Sequence, residues 1–180
     1  LPEKDKKETR QEMGVLFQGG ALFDSFTVEE NIMFPLNMFT KQPYEEKLER
    51  VNAVLSHVKL TNANSKYPAE LSGGMIKRVA IARAIAMNPK YLFCDEPNSG
   101  LDPKTAEVID ELISELTHKF NMTTVINTHD MNSVLQIGQK IAFINKGELW
   151  WEGDNKEILK ADNKELNDFV FSTELTRRIK

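Results

Sequence analysis

The sequence predicts an α/β protein with a mostly parallel sheet and a helical subdomain. Three observations lead there. Short apolar runs at Met13–Phe17, Tyr91–Cys94 and Thr123–Asn127 are too brief for helices and alternate with longer amphipathic stretches, the pattern of a parallel sheet. Polar residues follow each run at once, Gln18, then Asp95-Glu96, then Thr128-His129-Asp130, and the ends of such strands are where open α/β sheets hold ligands. Residues 28–87, between the first two runs, carry helical periodicity almost throughout.

Composition narrows the class. The 180 residues are 41% hydrophobic and 28% charged, enough for one globular domain or a little more. A net charge of -4 argues against a nucleic-acid partner, which would leave a basic surplus on one face. The single cysteine, Cys94, lies inside an apolar run and reads as a small buried hydrophobe of a reducing compartment. No apolar run of eighteen residues offers a membrane span, and the charged start LPEKDKKETR does not read as a signal peptide.

Taken in order, residues 1–11 form a polar surface helix or a frayed start, and Met13–Phe17 a strand with Gln18 in the loop after it. Thr27 with Glu30 three residues on makes a capping box for a helix from Val28 to about Leu36. Phe23 and Phe26, with Phe34 and Phe39, make this loop and helix rich in phenylalanine, which is either satellite core or an apolar patch that a partner covers. Pro43 opens a second helix, with Leu48, Val51, Val54, Leu55 and Val58 on one stripe. Residues 61–68 are a polar connection to Leu71-Ser72-Gly73-Gly74. The next helix carries Val79, Ile81, Ala82, Ala84 and Ile85 and ends at Asn88-Pro89, because proline pushes the residue before it out of the helical region.

Tyr91–Cys94 is wholly apolar, as suits a strand covered on both faces. Pro103 starts a helix with Val108, Ile109, Leu112, Ile113, Leu116 and Phe120 at helical spacing, stopped by Asn121. After the β-branched strand Thr123–Asn127, Lys140–Asn145 and Glu148–Glu152 form a hairpin turned by Asn145-Lys146-Gly147, with Trp150 and Trp151 on opposite sides of its second arm. Asp154 caps a helix to Lys160, and Leu166, Phe169 and Val170 suit a last helix before a basic tail. The organisation expected is a strand and loop at 1–27, the helical subdomain at 28–87, the rest of the sheet at 88–160, and a terminal helix and tail at 161–180.

Two places bear chemistry. Ser72-Gly73-Gly74 opens a helix with uncovered N–H groups at the positive end of its dipole, which suits a phosphate; it is also what an ordinary serine cap with glycines beside it looks like. Asp95 and Glu96 leave a buried strand towards opposite faces. Such a pair suits one carboxylate holding magnesium through water while the other orients an attacking water; its plainer reading is two solvated residues opening the turn before Pro97.

Joined in this order and spacing, LSGGM (71–75), YLFCDE (91–96) and SGLD (99–102) resemble the signature, Walker B strand and D-loop of the ATP-binding cassette (ABC) ATPases. The resemblance covers nearly the whole chain and implies ATP and Mg2+ as cofactors. It makes Glu96 the catalytic base and His129 the switch histidine at the γ-phosphate, with Asp95 and the Gln18 amide oxygen on the metal. Ser72, Gly73 and Gly74 would cap the γ-phosphate of an ATP held by a second copy, with Asp102 at the dimer seam. It further implies a homodimer, a membrane permease that docks through the Gln18 loop and helical subdomain, and a cytoplasmic place on the inner face of the membrane.

The family's P-loop, G-x-x-x-x-G-K-[ST], does not occur in these residues: Gly14 and Gly19 have its spacing, but Gly20 stands in place of the lysine. The expectation is therefore a partial P-loop NTPase core, a fragment of an ATPase that binds nucleotide poorly alone and leaves apolar surface and unpaired strand edges. GVLFQGGALFDSFTVEENIMFPL, with Met75 closing the signature, is similar to the Mla-type lipid-asymmetry and toluene-tolerance ATPases. That implies phospholipid transport across the bacterial envelope with an MCE lipid-binding protein in the complex. The alternatives are the ATPase of another ABC importer or exporter, a non-transport ABC ATPase, or a non-catalytic interaction fragment.

Overall fold

A computed structural model describes residues 3–171, in two compact units that meet in sequence at Asn127 and Thr128. The first holds α1 (Glu3–Gln11), β1 (Met13–Leu16), α2 (Val28–Phe39), α3 (Tyr44–His57), α4 (Gly73–Ile85), β2 (Tyr91–Asp95), α5 (Pro103–Lys119) and β3 (Thr123–Asn127). Its strands form a parallel sheet in the order β1-β2-β3, with Leu16 beside Cys94 and Asp95 beside Asn127. All three carboxyl ends thus lie along one edge.

Local chemistry explains the helix bounds. The capping box at α2 forms: Thr27 Oγ1 accepts from the Glu30 N–H at 3.2 Å, and the Glu30 carboxylate accepts from the Thr27 N–H at 2.7 Å. Pro35 does not stop α2, which runs three residues past the expected Leu36. At the far end of α4, the Arg50 guanidinium donates to the carbonyls of Ile85 and Ala86, each at 2.8 Å, closing groups that a helix end leaves open. Asn88 and Asn121 take the left-handed φ values, +52° and +50°, that end helices.

The core gathers on one face of the sheet. α4 is buried almost all round through Val79, Ala80, Ile81, Ala82 and Ile85, and it joins Leu16, Leu92 and Cys94 with the buried stripes of α3 and α5. Val108 departs from the expected α5 stripe and is exposed. β2 is likewise not covered on both faces among the described residues. Leu92 and Cys94 are buried, but Tyr91 is 45% exposed, and Val15 and Val125 beside Phe93 are 36% and 52% exposed. An apolar run records that a strand tolerates cover on both sides, not which layers supply it.

Asn31 is fully buried, and its side chain holds the 23–27 loop against α2. Its amide nitrogen donates to the carbonyls of Phe23, Phe26 and Thr27 at 3.0–3.2 Å, and its Oδ1 accepts from the Phe23 N–H at 2.9 Å. We expect Asn31→Leu to lower stability by about 2–3 kcal/mol, since it strands several desolvated backbone groups at once. A denaturation midpoint shifted by less than about 0.5 kcal/mol would show that the loop is held by other means.

The second unit contains α6 (Met131–Ile137), β4 (Ile141–Asn145), β5 (Glu148–Gly153) and α7 (Lys164–Val170). β4 and β5 pair as an antiparallel hairpin, with Lys146 and Gly147 both at positive φ as a tight turn of this hand requires. Trp151 packs against the Ile158, Leu166 and Val170 core, while the Trp150 ring meets the Lys146 ammonium 5.9 Å from its centroid. The helix expected from Asp154 to Lys160 is a turn followed by a 3-10 turn at Ile158–Lys160. Asp154 Oδ1 accepts from the Lys156 and Glu157 N–H groups at 2.7 and 2.9 Å, the local bonding by which aspartate favours turns over helices. The basic tail lies outside the described residues.

Candidate active site

The carboxyl edge of the sheet assembles one set of groups. After β1 the Gly20 N–H donates to the Phe17 carbonyl at 2.9 Å, and this turn leaves Gln18 exposed at the edge. Gly19 and Gly20 carry φ of +75° and +87°, which L side chains resist, and a Cβ on Gly20 would come within 3.1 Å of Ile76 Cγ2. Arg83 then holds the loop to α4 by donating to the carbonyls of Gly20 and Ala21 at 2.8 and 2.9 Å. Its guanidinium carbon lies 5.8 Å from the Phe23 centroid, and Phe23, Phe26 and Phe34 pack ring to ring at 4.8–6.3 Å.

At the end of β2, the exposed Asp95 accepts from Asn127 Nδ2 at 2.8 Å, which aims its carboxylate along the edge. Glu96 has φ of +46°, unusual for a non-glycine residue, and its N–H donates to the Asn127 carbonyl at 2.9 Å. Its carbonyl accepts from the Ser99 N–H at 3.2 Å and from Lys77 Nζ at 3.3 Å. Burial weakens the hold of Lys77 on its proton, and the charge of Glu96 opposes that effect. Beneath the same turn Asn98 donates to the buried Asp110 carboxylate at 3.2 Å. Burial raises the Cys94 thiol to about 12, so it carries no thiolate chemistry near neutral pH.

The start of α4 forms a second surface. Ser72 Oγ accepts from the Met75 N–H at 3.4 Å, so Ser72 is a true cap, and Ser72 and Gly73 are exposed. The glycines also answer a packing need. A Cβ on Gly73 would sit 3.2 Å from Leu101 Cδ2, and one on Gly74 would sit 2.9 Å from Thr105 Cγ2. Asp102 stands next to them as the cap of α5, accepting from the Thr105 N–H at 3.0 Å and from its hydroxyl. Those two donors hold its carboxyl below the ordinary aspartate value.

The first unit therefore brings Gln18, Asp95 and Glu96 to one edge, and Ser72, Gly73, Gly74 and Asp102 to one helix end. His129 belongs to the second unit, exposed in the loop before α6, where Thr128 Oγ1 accepts from the Asp130 N–H at 3.1 Å. Among the described residues no cluster of three or more His, Cys, Asp or Glu side chains could cage a metal. The donors that remain, a carboxylate at Asp95 and an amide oxygen at Gln18, fit a hard cation that keeps most of its ligands from water and phosphate, as Mg2+ does. Sequence reasoning missed Asn127, Arg83 and Lys77. The one available signal was the set of cations Lys77, Arg78 and Arg83 in a helix whose other residues after its first turn are apolar.

The sequence profile described as ABC transporter matches residues 1–99. The methionine import ATP-binding protein MetN of Protochlamydia amoebophila is 45% identical over 150 residues, 83% of this chain and 43% of that protein. MetN of Vibrio vulnificus (strain YJ016) is 41% identical over 174 residues, 96% of this chain and 50% of that protein. The chain thus spans about half the length of the curated relatives it matches. Of solved structures, the dimeric post-hydrolysis state of the ATP-binding cassette MJ0796 bound to ADP and Pi superposes with a TM-score of 0.75 at 33% identity, covering 86% of this chain and 68% of that one. Another is cbiO1 from Clostridium perfringens, part of the ABC transporter complex cbiONQ, with a TM-score of 0.81, 27% identity, and 98% and 70% covered.

Proposed function

Because the chain belongs to the ABC transporter family, we propose that it forms part of an ATP-hydrolysing subunit that powers import of methionine or a chemically close solute. One observation carries the hydrolytic part: β1 and β2 end side by side in a parallel sheet, so Gln18, Asp95 and Glu96 share an edge, and Asn127 orients the Asp95 carboxylate. In this mechanism Glu96 takes the proton of the water that attacks the γ-phosphate. Asp95 and Gln18 would hold Mg2+, which when bound would neutralise phosphate charge. The family resemblance gives His129 the role of contacting the γ-phosphate. Ser72, Gly73 and Gly74 present N–H groups to the ATP of a second copy, with Asp102 at the seam.

The same residues give the chain its partners: a second copy across the nucleotides, and a membrane permease at the Phe23, Phe26 and Phe34 cluster next to the Gln18 loop. The 28–87 segment carries Phe34 and Ser72 to Gly74, and so contributes to both surfaces. No helix among the described residues is long and apolar enough to cross a membrane, and we place the subunit at the cytoplasmic face beside that permease. The methionine-importing relatives favour the importer alternative over phospholipid transport, and lend nothing to an MCE partner. The test is reconstitution of the full-length protein with its permease in liposomes. ATP-driven uptake of labelled methionine is the expected result; ATP-driven movement of labelled phospholipid without methionine uptake would return the lipid reading.

A further inference from the structure

Lys77 is only 3% exposed, and a lysine ammonium is rarely buried unless acceptors hold it. Its acceptors are the Glu96 carbonyl at 3.3 Å and Ser99 Oγ at 3.4 Å. Both belong to the turn that follows β2, whereas Lys77 belongs to α4. It lies three and four residues after Gly74 and Gly73, on the same side of the helix. The group that it grips is unusual in its own right. Glu96 sits at φ of +46°, which a β-carbon disfavours by roughly 1 kcal/mol or more, so the surrounding structure must hold it there.

We propose that Lys77 is a positioning residue: it fixes the backbone of Glu96, and so the direction of its carboxylate, to the helix whose first turn serves the other nucleotide. The proposal rests on Glu96 being the base. One cation then links the two half-sites within a single chain. A shift of the α4 start, as when its glycines meet phosphate, reaches Glu96 through Lys77 without crossing the rest of the core. The stem of Lys77 fills its place in the core, but only its ammonium makes this link.

The test uses the full-length ATPase. Lys77→Met keeps the stem and removes the donor; we expect kcat to fall about 10-fold or more with KM for ATP within about 3-fold, the pattern of a displaced catalytic group rather than lost binding. On a Glu96→Gln background the same change should lower the residual rate less than 2-fold, because a positioning residue has nothing left to position. Near-normal kcat for Lys77→Met, or an equal fold-loss in both backgrounds, overturns the proposal. Lys77→Arg, which keeps a cationic donor, is measured beside it and is expected to restore kcat to within about 3-fold; a loss equal to that of Lys77→Met marks a merely structural role and overturns the proposal. Normal turnover in Glu96→Gln alone would instead overturn the assignment of the base, so the two failures are distinct.

Discussion

On the proposed function, Glu96→Gln in the full-length protein is expected to slow ATP hydrolysis by roughly 10²-fold or more while ATP still binds, the scale on which a general base acts. The substitution is nearly isosteric, and the backbone contacts of residue 96 stay: its N–H on the Asn127 carbonyl at 2.9 Å, and its carbonyl on Ser99 and Lys77. What goes is the capacity to accept a proton. Steady-state phosphate release beside equilibrium binding of a fluorescent ATP analogue separates the two properties. Turnover within a few-fold of the unaltered protein, with binding intact, would falsify the role of Glu96.

Gly14→Ala is the structural counterpart. Gly14 is buried in β1 opposite Leu92, and a Cβ there would collide with the Ala84 carbonyl and lie 3.1 Å from Pro89 Cγ. The obstacle is backbone in the last turns of α4, which cannot swing aside as a side-chain tip can. Either β1 or α4 must move, and each carries part of the site: Gln18 follows β1, and Ser72 to Gly74 begin α4. We expect a loss of about 2–3 kcal/mol, as for other overpacked cores, seen as a melting temperature lowered by roughly 5–10 °C. A shift below about 2 °C would mean that β1 and α4 are not pressed together as described.

Much of this architecture is legible in the residues themselves. Thr123–Asn127 has the same bounds in sequence and structure, and the box at Thr27 and Glu30, the stop at Asn121 and the turn at Lys146-Gly147 all form where their chemistry predicts. Each of these depends on residues at most a few positions apart. Asp154 shows the edge of that rule: the same carboxylate can cap a helix or close a turn, and here the 2.7 Å bond to the Lys156 N–H makes it the turn. The transport substrate is harder to read. The stretch 14–36 and Met75 lead to the expectation of a lipid-asymmetry ATPase, whereas the relatives that match over most of the chain are named methionine import proteins.

By itself, then, the sequence determined the parallel α/β plan, the family and the residue types at the strand ends and at the start of α4, because periodicity, capping and motif spacing act between near neighbours in the chain. Only the tertiary structure decided which face of β2 is covered, that Gly73 and Gly74 are also small so that α4 can approach Leu101 and Thr105, and that Lys77 reaches the Glu96 carbonyl. Those facts depend on pairs some twenty to thirty residues apart, such as Lys77 with Glu96 and Gly74 with Thr105. No local pattern encodes such pairs; they exist only once the sheet and α4 have packed.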